Sequence, residues 1–412
     1  MNKKILIIGN GAKEYALAKK LSKDNEIYIT PSSDSLKEFC TCLDIREDSR
    51  HEILEFVLEN SIDMTIAVSQ KAINSDITSL FNDNKLQIFA PSFKANEIVS
   101  NKAFAKKVMY KLRIPTPKFG IFEKQNLAAD YIKNQNYPFV IKTNDNNSAT
   151  IITSEKTAKN LLEIIFFEKN KKILIEDYVY GTPFSFYTIT DGYKALPLGS
   201  SLTYKHSLEG NGGQLSDGMG ACVPNYKLSI ENEYFLMDNV IYPTLEYLEM
   251  GGNTYTGILG VNGILTEEGK IVVLGFQSFT QDFDTDAILS SVDDDLYNLF
   301  ESCVIGSFSD EADIINLNNK QSVSLVLVCK NKENKENSIK GIDNLEDDTI
   351  VSFYPSVIKN RYLEWEAKHG SALVLTSSSS SFSKAREKVY TEASDIYFNG
   401  ISYRKDICRI NN

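Results

Sequence analysis

The opening of the chain constrains its fold more than any other stretch. Ile5-Leu6-Ile7-Ile8 is an unbroken apolar run that stops at Gly9. A strand covered on one face alternates apolar and polar residues, whereas an unbroken run belongs to a strand buried on both faces, as in a parallel sheet. Residues 12–21 then place Tyr15, Leu17, Ala18 and Leu21 at helical spacing, and Ile27-Tyr28-Ile29 reads as a second strand stopped by Pro31. Residues 51–59 carry a helix through Ile53, Leu54, Val57 and Leu58. Residues 64–68 and 86–90 are further strands, the latter closed by Pro91. Alternation at this spacing predicts an α/β, doubly wound N-terminal domain with helices on both faces of a parallel sheet.

The pattern then changes. Residues 94–112 are helical, and Pro115 and Pro117 break the chain into a new unit. Strands are predicted at 139–142 and 173–176, a helix at 156–167, and an antiparallel pair at 184–189 and 195–198 around Asp191-Gly192. A glycine-rich loop over 210–220 precedes a long helix at 230–250 and strands at 255–264 and 271–276. After a strand at 323–329, residues 331–340 read as a charged, solvated loop. A strand at 373–376 leads into Ser377–Ser381, read as a polar loop ending in a helix cap, and a helix at 384–394.

Composition removes several function classes. A net charge of −11 over 412 residues disfavours nucleic acid as a partner, which needs a basic face. No apolar run approaches the roughly 18 residues of a membrane span, and the apolar stretch at the N-terminus is too short for a secretory signal. Cys40, Cys42, Cys222, Cys303, Cys329 and Cys408 form no C-x-x-C pair, and His51, His206 and His369 are far apart. That pattern argues against a structural zinc site and for reduced thiols in a cytoplasmic protein.

Gly9-Asn10-Gly11 closes the first strand and opens a helix, a place where backbone N–H groups can face an anion. The dinucleotide fingerprint wants a small residue at position 14, where Glu14 stands, and the second strand ends without an acidic residue to hold a ribose. Nicotinamide binding is therefore disfavoured, and a tight strand-to-helix turn, with or without a ligand, remains.

The segment Gly9 to Leu17 resembles the G-x-G-G-R-E-H-A-L opening of the phosphoribosylamine–glycine ligase family, which belongs to the ATP-grasp superfamily. The resemblance continues in order through Ala90-Pro91-Ser92, Asn101 to Lys106, Ile114-Pro115-Thr116, Val140-Ile141-Lys142, Asp217 to Ala221, Asn253 to Gly257 and Tyr403 to Ile407. It implies an N-terminal α/β domain (1–100), an ATP-grasp body (101–117 and 190–320), a mobile lobe (118–189) and a C-terminal α+β domain (321–412). It also implies a reaction. ATP phosphorylates the glycine carboxylate, and the amine of phosphoribosylamine attacks the acyl phosphate. Such chemistry calls for cations at the transferring phosphoryl group, Mg²⁺ and exclusion of water.

Measured against that pattern, the sequence is uneven. Lys102 and Lys142 match the two phosphate-contacting lysines, and Glu176 is kept at the nucleotide hinge. Gly9, Gly11, Lys13, Asp217, Gly218, Met219 and Gly220 are the substrate-binding candidates. Lys13 replaces an arginine, keeping charge but losing a bidentate fork. The glycine-rich phosphate lid is replaced by residues 143–150, which contain no glycine, and the hinge carboxylates have become Thr182 and Pro183. Gly275 and Gln277 stand where the resemblance implies a metal-binding carboxylate and asparagine, Phe279 where it implies an arginine, and Gln70 where it implies a carboxylate. Asp282, Asp284 and Asp286 could form a displaced metal site, but read better as solvated loop acids.

On this reading no metal site is expected, no cofactor is firmly implied, and ATP and Mg²⁺ enter only if the protein is catalytic. The expectation is a diverged family member of purine biosynthesis with impaired or lost ATP-dependent catalysis. It would keep a binding or regulatory role toward a ligand such as phosphoribosylamine or glycinamide ribonucleotide, with a protein partner possible. The alternative is an active ligase joining glycine to 5-phosphoribosylamine. A purely structural protein would show a basic or apolar exposed stripe, and neither is visible in the sequence.

Overall fold

The computed structural model describes residues 2–143, 149–167, 172–308, 314–332 and 337–410. The N-terminal strands Lys4–Ile8, Glu26–Thr30, Met64–Ala67 and Ile88–Phe89, with the short edge strand Thr41–Cys42, form one parallel sheet. In space the order is 41–42, 26–30, 4–8, 64–67, 88–89, so the winding reverses beside the first strand. Ile5 to Ile8 are completely buried, as their unbroken apolar pattern requires. Sequence reading missed the edge strand because two residues carry no periodicity.

A second sheet of four antiparallel strands comprises Phe119–Phe122, Phe139–Thr143, Ala149–Ile152 and Ile173–Asp177, backed by the helices Gln125–Ile132 and Glu155–Phe167. A nine-stranded sheet forms the rest of the scaffold. Its main path runs through Ile271–Gln277, Gly257–Leu265, Thr182–Thr190, Ala195–Leu208, Gly212–Val223, Gln321–Cys329, Gly370–Ser379 and Ile350–Phe353, and Ile401–Ser402 pairs at the side. Thr182–Thr190 thus pairs within this large sheet, although its numbers fall in the range read as the lobe. Gln321–Cys329 pairs with Gly212–Val223, so the body and the C-terminal region share one continuous ladder.

Several local expectations are corrected. Residues 210–220 are mostly strand rather than loop, because Gly212–Val223 pairs with Ala195–Leu208 on one side and Gln321–Cys329 on the other. Its glycines serve close approach. At Gly218 (φ +121°) a Cβ would lie 1.9 Å from the Phe283 ring, and at Gly220 it would lie 2.3 Å from the Ser324 carbonyl oxygen. The helix expected over 94–112 is broken at Asn101, whose extended backbone lets its side chain accept from the Phe104 N–H at 3.1 Å and cap Lys102–Lys111. The helix at 230–250 contains a π turn, Met237–Ile241, just before Pro243, which cannot donate a helical hydrogen bond. Ser377 to Ser379 continue the strand, and Ser381 caps the helix Phe382–Asp395 by accepting from the Lys384 N–H.

Candidate active site

The site forms where the helix Lys102–Lys111, the four-stranded sheet and one polar face of the large sheet meet. Glu176 lies at its back, 2 % exposed. One carboxylate oxygen is 2.9 Å from Lys106 Nζ, and the other pairs with Lys142 Nζ. Lys106 also donates to Thr116 Oγ1 at 2.5 Å, and Thr116 donates to the Val273 carbonyl at 2.8 Å. This chain links the four-stranded sheet, through Glu176 and Lys142, to the strand Ile271–Gln277. Burial pulls Lys106 down to about 8, against the pull of Glu176. Burial opposes ionisation of Glu176 as well, yet Lys142 and Lys106 together hold its carboxyl below the ordinary range. Glu176 is thus the counter-charge that positions Lys142. Lys106 was missed from sequence because nothing marks it among the lysines of its helix except burial.

Lys102 opens the same helix. Burial first, and then the Lys142 charge, lower its ammonium to about 8. Lys142 is half-buried, so both sequence-predicted lysines converge here. Residues 144–148 of the expected lid lie outside the described residues.

The floor is a row of paired residues on one face of the large sheet. Gly275 pairs with Asn262, Asn262 with Ser185, and Ser185 with Ser201. Ser185 Oγ donates to Asn262 Oδ1 at 2.8 Å, and Lys205 Nζ donates to the same oxygen at 3.3 Å. Gln281 Nε2 donates to Ser185 Oγ at 3.2 Å. A Cβ at Gly275 would meet nothing within 4 Å, so this position opens into the cleft. Among the described residues the buried Gln277 Nε2 has no partner. Phe279 is buried in the main apolar core and offers nothing polar to a substrate.

Asp284 and Asp286 are buried, correcting their reading as solvated acids, whereas Asp282 is half-buried. Asp284 accepts from Tyr187 Oη and Ser201 Oγ, both at 2.8 Å, and from the Gln281 N–H at 2.9 Å. Burial still pushes it up to about 6. Tyr187→Phe is expected to cost about 1–2 kcal/mol by removing one of these donors. It should also raise the Asp284 titration further, read by carboxyl NMR.

The remaining candidates are spread over two other places. At the first turn, Gly9 N donates to the Thr30 carbonyl, Gly11 N to Glu14 Oε2 and Lys13 N to Asp282 Oδ1. Glu14 and Asp282 therefore occupy the donors that an anion would use, and burial pushes Glu14 up to about 7. Asn10 faces a pocket of about 180 Å³ lined by Ser32, Ser33, Asp34 and Lys37. Gln70 donates to Ser278 Oγ at 2.5 Å and accepts from Asn96, joining the N-terminal domain to the end of the strand Ile271–Gln277. Thr182 and Pro183 line a separate pocket of about 180 Å³ with Tyr204 and Tyr226. In the glycine-bearing strand Asp217 is exposed, while Gly218, Met219 and Gly220 are packing positions.

Mg²⁺ wants near-octahedral oxygen ligands including carboxylate. Gly275 supplies none, Gln277 carries only a neutral amide, and the Asn262 oxygen already accepts from Ser185 and Lys205. The residues there do not fit the ion.

A pre-fold of parallel strands, a small antiparallel lobe and a large antiparallel sheet, with lysines facing a cleft between them, define an ATP-grasp protein. The chain matches the phosphoribosylglycinamide synthetase N domain over residues 3–98 and the ATP-grasp (A) domain of the same family over residues 100–285. It belongs to the phosphoribosylglycinamide synthetase family. It is 28 % identical to the phosphoribosylamine–glycine ligase of Caldanaerobacter subterraneus subsp. tengcongensis, covering 98 % of this chain and 99 % of that one. The crystal structure of the Thermotoga maritima phosphoribosylamine–glycine ligase superposes with a TM-score of 0.80 at 20 % identity, covering 98 % and 100 % of the two chains. The biotin carboxylase domain of the Hydrogenobacter thermophilus 2-oxoglutarate carboxylase, solved with MgADP, ADP and bicarbonate, gives 0.71 at 15 % identity over 98 % and 92 %. Among the described residues no helix is long and apolar enough to cross a membrane.

Proposed function

We propose that this protein is a phosphoribosylamine–glycine ligase of purine biosynthesis, joining glycine to 5-phosphoribosylamine with ATP. The observation that carries the reading is the convergence of Lys102 and Lys142 on one cleft, with Glu176 and Lys106 fixing Lys142 from behind. Similarity to curated ligases over 98 % of the chain supports it. In this reading the γ-phosphoryl group passes to the glycine carboxylate and ADP leaves. The amine then attacks the acyl carbon, phosphate departs and the amine loses a proton. Lys102 and Lys142 neutralise the transferring group, and the substrates meet over the Gly275–Asn262–Ser185 floor. Six free thiols agree with a cytoplasmic setting.

One observation favours a second reading, a family member with impaired or lost turnover that retains a binding or regulatory role. The metal carboxylate, its neighbouring asparagine and the substrate arginine are replaced by Gly275, Gln277 and Phe279. Loss of one positioned electrostatic group costs on the order of 3 kcal/mol in the transition state. Pure protein given ATP, glycine and 5-phosphoribosylamine is expected to form glycinamide ribonucleotide and ADP in equal amounts, and only with all three present. Nucleotide binding with no product would transfer the conclusion to the second reading.

A further inference from the structure

The charges around the phosphate end of the cleft do not ask for a divalent cation. Lys102, Lys106, Lys142 and Lys205 gather there; Glu176 is shared by Lys106 and Lys142, and Asp284 and Asp217 act on Lys205. Lys205 is half-buried on the cleft floor. Its ammonium lies 3.3 Å from Asn262 Oδ1, and Asn262 pairs directly with Gly275. The Lys205 ammonium therefore shares a polar floor with Gly275, linked to it through Asn262. Burial lowers Lys205 to about 8; Asp284 and Asp217 oppose that shift, and Lys142 and Lys102 add to it. These ammonium groups repel one another across a poorly hydrated cleft, and a bound anion would relieve that repulsion. A divalent cation would add to it.

The neutral groups point the same way. Asn262 Oδ1 already accepts from Ser185 Oγ and Lys205 Nζ. The buried Gln277 Nε2, without a partner among the described residues, is a donor, suited to an oxyanion and not to a cation. Beside it, the space over Gly275 is open.

We infer that this cleft binds the polyphosphate of its nucleotide without a divalent metal at Gly275–Gln277, the Lys205 ammonium supplying the positive charge on the floor. The inference rests on the nucleotide reading of the cleft given above. It extends that reading by exchanging a metal ion for a side chain. Lys205 is a binding residue in this role, and Gly275 adds no carboxylate to the floor beside it.

Calorimetry on the full chain tests this with two probes, ATP and inorganic tripolyphosphate, each in excess EDTA and in excess Mg²⁺. ATP is expected to bind in EDTA at least as tightly as in Mg²⁺. Lys205→Met should weaken binding in EDTA by about tenfold or more, and Lys205→Arg, which keeps the charge, should restore most of it. Gly275→Glu, placed in open space, should weaken ATP in EDTA and make binding depend on Mg²⁺. Binding of ATP only with Mg²⁺ would overturn the inference and leave the ligase reading standing. Tripolyphosphate binding in EDTA that is sensitive to Lys205→Met, with no ATP binding at all, would support the metal-free anion site and remove the nucleotide reading. Absence of both probes in EDTA, or a folded Lys205→Met that binds as the parent does, would overturn the inference.

Discussion

Glu176→Gln is expected to destabilise the protein by about 3–5 kcal/mol at neutral pH, although the side chain hardly changes shape. The substitution leaves the Lys106 ammonium, 1 % exposed, without its counter-charge, and frees Lys142 from the same carboxylate. The pH dependence identifies the cause. Lys106 titrates at about 8 in the folded protein, below its ordinary value of 10.5, because burial disfavours the charged form. A lysine lowered by folding penalises the folded state below its folded pKa, and the penalty fades as pH rises toward the unfolded value. Without Glu176 the Lys106 pKa falls further, so Glu176→Gln should recover stability relative to the parent as pH rises through that lowered value to about 8, above which the two proteins gain alike. In the parent, Glu176 is itself held below 4.5. Its contribution is present above the unfolded carboxyl value and lost as acid carries the pH down through the folded one. Denaturant unfolding of both proteins at pH 5, 7 and 9.5 checks this. A loss that does not vary with pH would mean that packing, not charge, is what Gln fails to replace.

Asp286→Asn is expected to do the reverse and stabilise the protein, by on the order of 3 kcal/mol at pH 8. Asp286 lies in the helix Thr285–Ser291, which packs between the first helix of the N-terminal domain and the large sheet. It is 4 % exposed, and among the described residues its Oδ2 has no hydrogen-bond partner. Burial pushes its carboxyl up to about 7, with Ser352 and Lys19 opposing the shift only in part. In the unfolded chain the group ionises near 3.8. Between these values the folded state holds a proton that the unfolded state has released, so stability falls as pH rises from about 4 to about 7 and is level above that. An asparagine cannot ionise and avoids that fall. The two proteins should be nearly equal near pH 4 and well separated at pH 8, as denaturant midpoints would show. A variant less stable than its parent at pH 8 would mean that the ionised carboxylate is being held by a group that stabilises it.

By itself the chain determined much. Ile5 to Ile8, followed by Gly9 and by alternating helix and strand patterns, pointed to the buried first strand of a parallel sheet, because an unbroken apolar run suits a strand covered on both faces. The ordered motifs single out Lys102, Lys142 and Gly275 as candidate site positions, and the absence of a carboxylate at 275 is a property of the sequence alone. Local pattern could not say which charges meet. Lys106 looks like its neighbours Lys107 and Lys111 until the helix is packed against Glu176, and Asp284 and Asp286 look solvated until Tyr187, Ser201 and the large sheet close around them. Whether a lysine is a surface charge or the cation of a binding site depends on distances between strands that the sequence separates by dozens of residues, as Lys205 and Asn262 show. Those distances are set by sheet register, which only the assembled fold fixes.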